Sequence, residues 1–198
     1  MLEKKDVARE LAHAHFVKSA EVKRRTLETS LDSVLLAADL ITACFRSTNK
    51  LLICGNGGSA ADAQHMAAEF LNRLNSDLDR PGLPAIALTT DTSFLTSYAN
   101  DCGYDGVFER QVRAIGRQDD VLIAISTSGN SKNVLKAVVA AREIGVRTIG
   151  LLGDGGELTD LVDHAVVVPS HDTQCIQETL LTVEHALCML VEQALFVS

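Results

Sequence analysis

Apolar residues recur three and four positions apart along the first quarter of the chain. They fall at Val7, Leu11 and Ala14, then at Leu31, Val34, Leu35, Ala38, Ile41, Cys44 and Phe45. That spacing makes one stripe of a helix, so residues 3 to about 47 are predicted helical, as two helices with Ser30 capping the second. From residue 50 the period changes. Short aliphatic runs near 50–55, 84–88, 120–125, 147–152 and 165–168 read as strands. Helical spacing covers about 59–73, 105–116, 131–144 and 173–196, with short helical turns near 92–99 and 156–162. Pro81-Gly82 and Pro84 punctuate the first crossover, and Gly145 ends a helix. The alternation predicts an α/β fold: a doubly wound, mainly five-stranded parallel sheet flanked by helices. Residues 1–198 then form one domain, with an N-terminal helical arm (1–47) preceding an α/β core (48–198). So long an arm has no evident partner inside so small a core, and is expected to pack against another subunit as a bundle.

Two strands run directly into loops of small residues. Lys50-Leu51-Leu52-Ile53-Cys54 enters Gly55-Asn56-Gly57-Gly58-Ser59, and Val121-Leu122-Ile123-Ala124-Ile125 enters Ser126-Thr127-Ser128-Gly129-Asn130-Ser131. Each loop opens onto a helix, whose free N–H groups and neighbouring hydroxyls make an anion site. Two such sites predict a phosphorylated small molecule at the C-terminal edge of the sheet. Four hydroxyls in the second loop supply donors from several directions without a buried cation. The first loop also fits the dinucleotide pattern G-x-G-x-x-A. The following strand ends in Thr89-Thr90 with only Asp91 nearby, and no P-loop lysine follows the glycines, so a substrate loop is the preferred reading.

Composition narrows the class. Of 198 residues 46% are hydrophobic and 22% charged, ordinary for a folded domain that buries about 70% of its unfolded surface. A net charge of −8 argues against nucleic acid as a partner. The charged start, Met1-Leu2-Glu3-Lys4-Lys5-Asp6, does not read as a signal peptide, and no run of about 18 apolar residues suggests a membrane span. Five cysteines, odd in number and without a CxxC pair, fit buried hydrophobes in a reducing compartment. A cytoplasmic protein is expected.

Reactive side chains concentrate on two helices. His65 and Glu69, four apart, share one helical face one turn beyond the first loop, a spacing at which both can reach one divalent metal. The last helix carries Gln177, Glu178, Glu184 and His185 among apolar residues. His185 there reads equally as a core or a functional histidine. His13, His15, His164 and His171 lack such a context.

Taken together, Gly55-Asn56-Gly57-Gly58-Ser59, Ala61-Asp62-Ala63-Gln64-His65 and Glu69 resemble the phosphoheptose isomerases. So do Arg80-Pro81, Pro84-Ala85-Ile86-Ala87-Leu88, Asn100-Asp101, Ser126-Thr127-Ser128-Gly129-Asn130-Ser131, and Gln177-Glu178 with His185. The likeness runs from residue 50 to the C-terminus. It implies the SIS (sugar isomerase) fold, a homotetramer with interfacial active sites, and conversion of sedoheptulose 7-phosphate to D-glycero-D-manno-heptose 7-phosphate. That reaction begins ADP- or GDP-heptose synthesis for bacterial lipopolysaccharide or other surface glycans. The resemblance further implies one zinc ion per subunit on His65, Glu69, Gln177 and His185. Substrate would meet Asn56, Gly57, Gly58, Ser59, Glu69, Asn100, Asp101, Ser126, Thr127, Ser128, Ser131 and Gln177.

Ketose–aldose interconversion needs a base and an acid partner around an enediolate. Glu69 and His185 are the expected catalytic pair. Gln177 and His185 lie about 12 Å apart on a straight helix, too far for one metal. Either Gln177 precedes the regular helix or one ligand comes from another subunit. One residue departs from the family pattern: many members have a histidine where this chain has Leu180. A noncatalytic SIS protein, binding the DnaA replication initiator or sensing a sugar phosphate, is the alternative, and the presence of both Glu69 and His185 speaks against it.

Overall fold

A computed structural model describes residues 2–197, with side chains from Lys5 onward. The first element, α1, runs from Leu2 to Arg46 as one continuous helix rather than two. No glycine or proline interrupts this stretch, so nothing in it stops helix propagation. Ser30 is not a cap. It sits inside α1, where its hydroxyl donates to the carbonyl of Val167 at 2.6 Å.

Five strands follow: β1 (Leu51–Cys54), β2 (Ala85–Ala87), β3 (Val121–Ser126), β4 (Arg147–Gly153) and β5 (His164–Val168). All pair in parallel, in the order β2-β1-β3-β4-β5. The helices are α2 (Gly58–Leu71), α3 (Thr92–Cys102), α4 (Val107–Ile115), α5 (Lys132–Glu143), α6 (Leu158–Leu161) and α7 (Thr173–Phe196). A 3-10 turn, Tyr104–Gly106, links α3 to α4. The segment expected as a short turn near 92–99 is thus a full helix. Its periodicity was weak because none of its residues is buried.

Side chains alternate across the sheet and build two cores. Leu51, Ile53, Val121, Ile123, Ile125, Val166 and Val168 face α1, α2 and α7. Leu52, Cys54, Leu122, Ala124 and Leu152 face the opposite layer, formed from α3 to α6. Strands buried on both faces explain the near-continuous apolar runs in the sequence. Four of the five cysteines are buried and Cys102 is exposed.

The arm has a partner within its own chain. Val22, Val34, Ala37, Ala38, Ile41, Cys44 and Phe45 of α1 join the first core, and the ring of His164 bonds the Ser33 carbonyl at 2.7 Å. Further upstream, Val7, Leu11, Phe16 and Val17 are exposed. Helix α7 is long and apolar enough to cross a membrane by length and composition. Its apolar residues Cys175, Ile176, Leu180, Val183, Leu187 and Val191 are instead buried in the first core.

Candidate active site

Strands β1 and β3 are neighbours, but the helices that follow them lie on opposite faces of the sheet, α2 on one and α5 on the other. Their C-terminal ends therefore part at a topological switch point, where open α/β sheets take ligands. Both small-residue loops stand there.

The second loop is held from within and from the side. The hydroxyls of Ser126 and Ser131 lie 3.2 Å apart, and Ser126 Oγ accepts the amide of Gly129 at 3.2 Å. Ser128 Oγ accepts the Asn130 amide, also at 3.2 Å. Gly129 has φ 65°, and a Cβ there would stand 2.5 Å from the Gly155 carbonyl oxygen, so only glycine fits. Ser131 precedes α5 without capping it through its side chain, which leaves that hydroxyl to pair with Ser126. Thr127 is half-buried and Ser128 exposed.

The first loop is tied to the second by a reciprocal amide pair. Asn56 Nδ2 donates to Asn133 Oδ1 and Asn133 Nδ2 donates to Asn56 Oδ1, both at 2.8 Å. Tyr104 adds its hydroxyl to Asn56 Oδ1 at 3.3 Å. Neither Asn133 nor Tyr104 was expected here. Asn133 had a legible signal, a polar residue on the same buried stripe of α5 as Ala137 and Ala140. Gly57 takes φ 54° at the entry to α2 and is exposed. Ser59 is buried beneath the loop against Gly55. Asn100 and Asp101 bond each other at 2.9 Å on the exposed end of α3. Among the described residues no hydrogen bond joins them to either loop.

Further along α2, that helix and α7 bring together the expected reactive groups. His65 and His185 face each other with their Nε2 atoms 2.8 Å apart and their rings inclined at 72°. Glu69 Oε1 lies 3.9 Å from His65 Nδ1. Gln177 stands apart. It lies inside the unbroken α7, and its amide presses on Gly58, where a Cβ would come within 2.2 Å of Nε2. The first of the two explanations for its distance from His185 is therefore excluded.

Two converging imidazole nitrogens and a carboxylate match zinc in donor type. Among the described residues, however, no three His, Cys, Asp or Glu side chains close around one point. The donor types suit zinc, but His185 stands at Nε2 of His65 and Glu69 at its Nδ1, so the three do not converge within one chain.

Behind these residues lie two buried carboxyls. Among the described residues, Glu184 is fully buried with neither oxygen hydrogen-bonded, and Asp62 has an unpartnered Oδ2. Burial, reinforced by the nearby Asp62, pushes Glu184 up to about 9. Burial also raises Asp62, against the opposing effects of the Gln177 amide and His65.

The SIS domain family profile matches residues 14–153. A phosphoheptose isomerase from Roseiflexus sp. (strain RS-1) is 54% identical over 90% of this chain and 90% of its own. The chain belongs to the phosphoheptose isomerase family of SIS-domain proteins. Solved phosphoheptose isomerase structures agree. That from Neisseria gonorrhoeae superposes with a TM-score of 0.88 at 44% identity, covering 94% of this chain and 99% of its own. That from Francisella tularensis gives 0.90 at 35% identity, covering 94% and 98%. Within this family of isomerases, the Leu180 departure falls outside the crevice: the side chain is fully buried in the first core.

Proposed function

We propose that this phosphoheptose isomerase converts sedoheptulose 7-phosphate to D-glycero-D-manno-heptose 7-phosphate, with the phosphate held by the two loops and the carbonyl end beside α2 and α7. The observation that carries this reading is that α2, which opens at the first small-residue loop, also carries His65 and Glu69, with His185 of α7 set against His65.

The amides opening α5, with Ser126, Thr127, Ser128 and Ser131, would take the phosphate, a site whose donors need no charged side chain. Gly57, Gly58 and Asn56 would border the sugar, and Asn100 and Asp101 would close over it from α3. Glu69 removes the proton from C1 and returns it to C2. His185 moves a proton between the two oxygens of the enediolate. His65, Glu69 and His185 would hold one zinc ion per subunit, with Gln177 of a neighbouring subunit as the fourth ligand, and zinc when bound would polarise the substrate carbonyl. Two features support a homotetramer with shared sites. Gln177 lies about 12 Å along α7 from His185, and the upstream part of α1 exposes Val7, Leu11, Phe16 and Val17. A cytoplasmic enzyme feeding heptose to lipopolysaccharide or a related glycan is consistent with this chemistry. The DnaA-binding or sensor alternative is not favoured.

An NMR time course of the purified protein with sedoheptulose 7-phosphate tests the reaction. Aldose anomeric signals are expected. Their absence with added zinc in an intact oligomer would overturn the proposal.

A further inference from the structure

Glu69 lies in the last turn of α2, where carbonyl groups have no partners within the helix. The amides of Asn72 and Leu83 bond the carbonyls of Ala68 and Phe70, and among the described residues one side chain also reaches this turn. Arg80 donates through Nη2 to the carbonyl of Glu69 itself at 2.8 Å and through Nη1 to that of Phe70 at 2.9 Å. Its Nε bonds Glu192 Oε1 at 2.8 Å. Glu192 in turn accepts the amides of Leu74 and Asn75 at 3.0 and 3.2 Å. Both side chains are buried, 0% and 4% exposed, with the Phe196 ring 5.7 Å from the guanidinium.

Glu192 lies seven residues beyond His185 on α7, which returns it to nearly the same face. The ion pair thus joins the backbone of one reactive residue to the helix stripe that carries the other. We propose that Arg80 and Glu192 are positioning residues for proton transfer, fixing Glu69 against His185 across the α2–α7 contact. The inference rests on reading Glu69 as the base.

Burial makes a purely stabilising role a poor explanation. Desolvating two charges consumes most of their mutual attraction, and apolar replacements of similar volume are often as stable. What apolar side chains lack is the planar fork that bonds two adjacent carbonyls and a carboxylate at once. Loss of that fork frees the end of α2 to shift, and a misplacement of about 1 Å in a reacting group costs about 100-fold in rate.

The test compares Arg80→Lys, the double variant Arg80→Met/Glu192→Leu, and Glu69→Gln as reference, by melting, oligomeric state, KM and kcat per folded molecule. The double variant is expected to fold with KM within about threefold of wild type and kcat reduced about 10- to 100-fold. Arg80→Lys, which keeps the charge without the fork, should fall between. Wild-type kcat in the folded double variant would overturn the proposal, as would a rate loss matched by loss of folded protein. Should the double variant not fold, Arg80→Lys decides by the same criteria. Near-normal turnover in Glu69→Gln would instead refute the base assignment on which the inference rests.

Discussion

The two ends of the candidate site are built differently. The proposed phosphate end is made from contiguous residues after β1 and β3, locked by Asn56–Asn133 and Ser126–Ser131 within one chain. The proposed reacting end gathers His65, Glu69 and His185 from two helices far apart in sequence, and leaves Gln177 on another turn of α7. One end is complete as a local motif. The other depends on how helices pack and, in our account, on a second subunit.

Substitutions should separate these ends. Glu69→Gln is expected to lower kcat by about 10³-fold while leaving KM nearly unchanged, because it removes the base and weakens a proposed zinc ligand but touches no phosphate contact. A comparable loss in KM would show that the carboxylate chiefly binds substrate. At the opposite end, Ser131→Ala removes one donor to a charged group. KM should rise about 10- to 100-fold with a smaller change in kcat, as steady-state kinetics would reveal.

A third substitution asks whether the buried acids behind the reacting end oppose folding. Glu184 has no hydrogen-bond partner among the described residues, so Glu184→Leu should stabilise the protein at pH 8 by about 1–3 kcal/mol in urea unfolding. Destabilisation would mean that the carboxyl has a partner in the assembled enzyme. The smallest effect concerns the start of α7. Asp172 caps that helix, and its bond to Lys18, aided by the Cys175 amide, holds its carboxyl down at about 2 against an ordinary 3.8. Its contribution is present above pH 3.8 and is lost as pH falls through 2. Asp172→Ala should therefore lower Tm slightly at pH 7, with the difference vanishing near pH 2.

The same contrast governs what the sequence makes legible. All five strands and both loops could be read locally, because apolar runs ending in glycine and hydroxyl clusters are properties of adjacent residues. Two errors concerned α1: Ser30 resembled a cap, and the stripe at Val34, Ala38 and Ile41 gave no hint that β5 and α7 would cover it. Contacts between distant residues stayed hidden. Asn56 meets Asn133 across 77 positions and Arg80 meets Glu192 across 112, and no local pattern encodes either pairing. The candidate reactive residues His65 and Glu69 stood out by spacing, and His185 and Gln177 joined them only through resemblance. Their three-dimensional grouping, with Gln177 held apart, came only from the packing of α2 on α7.

Complementation asks whether the reacting end is shared between subunits. Glu69→Gln and Gln177→Ala proteins, each inactive alone, are unfolded together, reassembled and assayed. If Gln177 serves a neighbouring chain, mixed interfaces contain sites with every residue intact. Random assortment should then restore roughly a quarter of the wild-type rate. A mixture no more active than its parents would place all four residues in one chain and contradict the account.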